Sequence, residues 1–126
     1  MQPGYSVGVH IGELAERTGL SLRTIRHYDD VGLLPARTRT QGGFRVYEED
    51  DVERLQLIKR MKPMGYSLEE MADILRLLLD TSGEPRDVDV PAQLAEAERR
   101  RDKLARNLAQ AEELVALLRD RGATIA

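Results

Sequence analysis

A chain of 126 residues has room for one small domain plus an extension, and its 41% hydrophobic and 33% charged residues fit a soluble, heavily helical protein. With one Phe, four Tyr and no Trp, its core must be built from Leu, Ile, Val and Met, small enough to profit from a partner chain. The absence of Cys excludes disulfides, thiolate metal sites and cysteine nucleophiles together, and the net charge of -3 argues at first sight against nucleic acid.

The N-terminus lacks the charged start and apolar run of a secretion signal, and no window approaches the ~20 apolar residues of a membrane span. A cytoplasmic location is therefore expected. Residues 1–8, with Pro3, Gly4 and Gly8, have no periodic pattern. Ile11, Leu14, Ala15 and Thr18 keep helical spacing and predict a helix over about 11–18, with Gly19 as the left-handed residue that ends it and Leu20 plugging the corner. Ser21 is a good N-cap for a second helix. In that helix Leu22 and Ile25 fall on an inward face, Arg23, Thr24 and His27 point the other way, and Arg26 and Tyr28 lie on the flanks. Taken alone these ten residues also fit an ordinary amphipathic surface helix. Two short helices around a Gly-containing turn, with a polar outer face on the second, make a helix-turn-helix. Gly32 closes the second helix, and Leu33-Leu34-Pro35 turns the chain away.

Between Arg37 and Tyr47, two β-prone runs flank Gly42-Gly43, a hairpin signal. Beside a helix-turn-helix such a hairpin is a wing, and this one carries Arg37, Arg39 and Arg45. Glu48-Glu49-Asp50-Asp51 opens a third helix, where acids favour the positive dipole end; a regulatory metal site is the rarer use of such a cluster. Val52, Leu55, Ile58 and Met61 form its apolar stripe and Pro63 stops it. Ser67-Leu68-Glu69-Glu70 is a capping box that starts a fourth helix, whose apolar face is Leu68, Met71, Ala72, Leu75, Leu78 and Leu79.

Residues 80–91 are polar, with two prolines and a glycine, and read as a linker. Beyond it, Ala92 to Leu118 has no Gly or Pro and reads as one long helix of ~40 Å. Leu94, Ala97, Arg101, Leu104, Leu108, Ala111, Val115 and Leu118 alternate spacings of three and four, a heptad seam that a lone helix cannot bury. A dimerisation helix over 92–121 is expected. Arg101 interrupts the seam, either snorkelling out of it or fixing its register.

The charge is uneven. From Arg17 to Tyr47 six arginines face only Asp29 and Asp30, a local excess of four positive charges, whereas from Pro63 onward nine basic residues face thirteen acidic ones. The pattern is a basic reading head and an acidic body.

Ile11-Gly12-Glu13-Leu14-Ala15, Thr24-Ile25-Arg26-His27-Tyr28-Asp29, Gly32-Leu33-Leu34-Pro35, Gly43-Phe44-Arg45-Val46-Tyr47, Asp51-Val52-Glu53-Arg54-Leu55 and Gly65-Tyr66-Ser67-Leu68-Glu69-Glu70-Met71 occur in this order. The sequence resembles the MerR family of bacterial transcription regulators over about Val9 to Leu79. The resemblance implies a mainly α fold: a winged helix-turn-helix head over 9–79 and an antiparallel coiled-coil homodimer. It also implies a palindromic promoter operator that the dimer bends and untwists for RNA polymerase. By position, Arg23 and Thr24 would face base edges after the Ser21 cap, and Arg26, His27 and Tyr28 would lie on or near phosphates. Arg37, Arg39, Arg45 and Tyr47, together with Gly43 and Phe44, would serve the wing. His27 departs from the more usual aromatic and brings a pH-sensitive charge, while Arg26 is also placed to brace Asp29 or Asp30.

Sensing is where the resemblance carries least. Without cysteines, the family's thiolate and iron–sulfur chemistry is excluded; His10 and His27 both lie in the head; and only Arg119 to Ala126 follow the coil, so no appended drug-binding domain is expected. No metal or cofactor is expected, and an effector is not identified. No nucleophile–base pair or phosphate-binding Gly loop points to an enzyme. The reading from another class is an architectural or excisionase-like DNA-binding accessory protein, against which the regular dimer seam argues.

Overall fold

The computed structural model describes residues 8–35, 45–79 and 89–125. Its contacts divide the chain into two units at Glu84–Pro85. The protein is mainly helical: α1 (Ile11–Thr18), α2 (Leu22–Asp30), α3 (Glu49–Met61) and α4 (Leu68–Leu79) belong to the first unit, and α5 (Val90–Ile125) to the second. Among the described residues no strand forms. Val9 and Tyr47 form an antiparallel bridge in which each amide donates to the other's carbonyl, at 2.8 and 2.9 Å. Of the expected wing, only Arg45, Val46 and Tyr47 lie within the described residues.

Local chemistry accounts for the helix limits. α1 ends where the Gly19 amide donates back to the Ala15 carbonyl at φ 75°, a conformation that strains residues with a Cβ. Ser21 Oγ then accepts from the Thr24 amide at 3.1 Å and starts α2. At the other end of α2, Gly32 donates to the Asp29 carbonyl and Leu33 to the Tyr28 carbonyl. This is the Schellman closure, with Gly32 at φ 86° as its left-handed residue. The acidic cluster serves the start of α3: Glu48 and Asp51 form a reciprocal capping box, with the Glu48 amide 2.8 Å from Asp51 Oδ2. The same device opens α4, where the Ser67 amide donates to Glu70 Oε1 at 2.7 Å and the Glu70 amide to Ser67 Oγ at 3.1 Å. Between them Pro63 converts the end of α3 into a 3-10 turn over Lys62–Met64.

One core joins α1 to α4. Leu14, Ile25, Leu55, Ile58 and Leu75 are fully enclosed, with Tyr28, Leu33, Leu34, Tyr47, Met61, Tyr66 and Met71 around them. Three expected core positions fall outside it: Leu22 is 40% exposed, Leu68 38% and Leu78 57%. Each sits in the first or last turn of its helix. The core contact of α2 begins one turn later, on the i, i+3 pair Ile25 and Tyr28.

The α5 helix begins at Val90, two residues earlier than Ala92. Asp89 Oδ1 accepts from the Ala92 amide at 3.1 Å, and Pro91 fits the first turn, where no intrahelical amide bond is lost. The 36 residues give a rod of about 54 Å at ~1.5 Å per residue. No described helix is long and apolar enough to cross a membrane.

Candidate nucleic-acid interface

The α2 helix presents one clear polar face. Ile25 and Tyr28 are buried, whereas Arg23, Arg26 and His27 are exposed. Neither Arg23 nor Arg26 is engaged by an acidic side chain of the described chain, so both guanidinium groups retain their full donor set. Ser21 Oγ, occupied by the Thr24 amide, donates its own hydrogen to Thr24 Oγ1 at 2.9 Å. The Thr24 hydroxyl hydrogen therefore remains free to donate outward. His27 stands tilted over the edge of Tyr28, ring centroids 5.6 Å apart. Tyr28, expected on or near a phosphate, has its ring packed in the core at 3% exposure.

Arg45 reaches α2 rather than standing free. Its guanidinium pairs with Asp29, and the Tyr47 hydroxyl donates to the other Asp29 oxygen at 2.6 Å. The Asp29 side chain is only 6% exposed, so the two donors compensate a carboxylate removed from water. Burial first, and then the hydrogen bond to Asp29, push the Tyr47 hydroxyl well above the ordinary tyrosine range. Arg26, which the helical wheel offered as a brace for Asp29 or Asp30, takes no such bond. The sequence reading missed Asp29 as the junction. A signal was present: Arg45 and Tyr47 are two apart on extended backbone, so their side chains leave on the same side.

Arg17, counted within the basic patch, is also committed. Its guanidinium donates to both oxygens of Glu49, at 2.7 and 2.8 Å, and to Glu13 at 3.2 Å. The Arg17 contact holds the Glu49 carboxyl below its usual range. With Lys59 Nζ on the Thr18 carbonyl at 2.5 Å and Gln56 on the Arg17 carbonyl at 3.3 Å, it ties the end of α1 to α3. Arg37, Arg39, Gly43 and Phe44 lie outside the described residues.

On α5, the seam leucines and valine (Leu94, Leu104, Leu108, Val115 and Leu118) are 38% to 64% exposed. Ala97 is half-buried, and Arg101 and Ala111 are exposed. Leu114 and Leu117, outside the expected seam, are equally exposed and widen the apolar surface toward the C-terminal end. Arg101 donates to the adjacent Asp102, whereas its neighbours Arg99 and Arg100 both bond Glu96. Those two arginines, Arg100 foremost, hold the Glu96 carboxyl below its usual range. Among the described residues no cluster of His, Cys, Asp and Glu is arranged to hold a metal ion.

A two-helix reading head with an exposed cationic face defines a helix-turn-helix DNA-binding protein. The family described as "MerR HTH family regulatory protein" matches residues 9–78, and "MerR, DNA binding" matches residues 52–121. The chain belongs to the MerR family of transcription regulators. It is 40% identical over 78 residues to the mercuric resistance operon regulatory protein of Bacillus cereus, covering 62% of this chain and 59% of that one. It is 48% identical over 61 residues to the nodulation protein NolA of Bradyrhizobium elkanii, covering 48% and 28%. The matched part thus spans less than two thirds of these curated relatives. Among solved structures it resembles HiNmlR, a MerR family regulator lacking the sensor domain, bound to promoter DNA. That likeness has a TM-score of 0.68 and 25% identity over 92% of this chain and 88% of that one. A MerR family regulator from Bacillus cereus gives 0.64 and 28% over 86% and 75%.

Proposed function

We propose that this MerR-type DNA-binding regulator acts as a homodimer on a palindromic promoter operator and distorts the DNA between the half-sites so that RNA polymerase can engage the promoter. In this reading residues 9–79 are the reading head, 80–91 the connection and 92–121 the dimerisation helix. The carrying observation is the division of α2: Ile25 and Tyr28 buried, with Arg23, Arg26 and His27 exposed and the two arginines free of acidic partners among the described residues. Arg23, with its forked donors, and Thr24, with a free hydroxyl hydrogen, face base edges. Arg26 and His27 serve phosphates, and Arg37, Arg39 and Arg45 serve the wing around Gly43-Phe44. The place of action is the bacterial cytoplasm, at the nucleoid, and no effector is assigned.

The test is quantitative footprinting on the upstream region of its own gene, with a random duplex of equal length as competitor. The wild type protects one spaced palindrome. Arg23→Ala relaxes base preference by about 1–3 kcal/mol per half-site. Leu104→Glu, a charge in the seam, removes dimerisation and operator binding together. Equal affinity for operator and random duplex would sink the reading, and scattered protection would favour the architectural alternative.

A further inference from the structure

We infer that Arg101 is the residue that sets the orientation and register of the α5 pair. The inference rests on the dimer proposed above. A parallel, in-register pair would place Arg101 against the partner's Arg101, a like-charge contact inside an apolar seam. It would also oppose alanine to alanine at 97 and again at 111, leaving two thin layers.

An antiparallel pair centred on position 106 removes both defects. Leu94 then meets Leu118 of the partner subunit, Ala97 meets the partner's Val115, Arg101 meets the partner's Ala111, and Leu104 meets the partner's Leu108. Each small residue lies opposite a larger one, so the layers keep similar volume. The long Arg101 stem gains the space that Ala111 of the partner subunit leaves. In the same register Glu98 and the partner's Glu112 flank that layer on one side, two like charges with Arg101 between them. In the single chain neither Glu98 nor Glu112 has an ion-pair or hydrogen-bond partner among the described residues. Among the described residues Arg101 itself is held only by the exposed, adjacent Asp102. Arg99 and Arg100, by contrast, are already taken by Glu96. The third arginine of the run is the one left for the seam. A polar seam residue of this kind trades stability for one defined arrangement.

The chain has no cysteine, so single substitutions report on geometry directly. Ala105→Cys, beside the two-fold axis, forms a disulfide with its own copy when the full-length protein is refolded in a redox buffer. Leu118→Cys does not, but crosslinks to Leu94→Cys when the two variants are refolded together. In an Arg101→Leu background the dimer melts at higher temperature, while Leu118→Cys self-crosslinking rises at least about tenfold, equivalent to ~1.4 kcal/mol of lost orientation preference. Arg101→Lys restores the original pattern. Unchanged Leu118→Cys crosslinking with Arg101→Leu would show that orientation is set elsewhere and overturn the inference. A dimer in sedimentation that fails to crosslink through Ala105→Cys would overturn the register. A wild-type monomer in sedimentation would instead remove the dimer reading beneath both.

Discussion

A carboxylate taken almost wholly out of water requires charge and hydrogen-bond compensation, and Asp29 obtains it from Arg45 and Tyr47 together. The trio fastens the end of α2 to the Arg45–Tyr47 segment that leads into α3. Tyr47 makes the arrangement testable by pH. Its hydroxyl titrates well above the ordinary 10.0 because burial and the Asp29 bond both disfavour the phenolate. Below pH 10 both folded and unfolded chains hold the proton and this group adds no pH dependence. Above it the unfolded chain ionises first, and the stability is lost as pH rises toward the folded value. Tyr47→Phe should therefore be less stable than wild type by about 1.5–3 kcal/mol at pH 7, the worth of a hydrogen bond to a charged group. That gap should narrow steadily between pH 10 and 11 in urea denaturation. A gap constant across that range would mean that Asp29 does not hold the hydroxyl.

At the scale of elements, the turn between α1 and α2 depends on Gly19. A Cβ there would meet Lys59 Nζ at 3.5 Å, an ordinary contact, so the penalty is backbone strain at φ 75° rather than a clash. Gly19→Ala is expected to destabilise the head by about 1–2 kcal/mol in urea denaturation without altering the transition's steepness; an unchanged midpoint would place the turn's stability in the Lys59 and Arg17 links instead. The helix limits were legible in the chain because their signals are local: Ser21 three residues before Thr24, Ser67 three before Glu70, Pro63 after Met61. The pairings across elements were not. Asp29 lies 16 residues from Arg45, and Arg17 lies 32 from Glu49. Helical periodicity says which face a side chain is on, but which side chain of another element meets it is decided by packing. For the same reason Leu22, Leu68 and Leu78 have the right period yet stand at helix ends beyond the core.

Across the whole molecule, the six arginines between Arg17 and Tyr47 suggested one basic surface, but they are not equivalent. Arg17 is bound on both sides by Glu49 and Glu13, and Arg45 is shared with Asp29; Arg26 stands exposed without an acidic partner among the described residues. Only a cation that displaces a condensed counterion from DNA steepens the salt dependence of binding, by about 0.9 in the slope of log K against log salt for each phosphate. An arginine already neutralised by two carboxylates contributes little to that release. On the proposed dimer, with Arg26 serving one phosphate per subunit, Arg26→Ala should make the slope shallower by about 2, with affinity falling about equally for operator and non-operator DNA. Arg17→Ala should leave the slope unchanged while loosening the α1–α3 link, seen as a lower melting temperature. Fluorescence anisotropy between 50 and 200 mM salt, the range over which such binding changes most usefully, separates the two. A shallower slope for Arg17→Ala would mean that Glu49 gives up its arginine to a phosphate when DNA arrives, and that the charge pattern of the sequence predicts the contact surface better than the ion pairs of the free protein do.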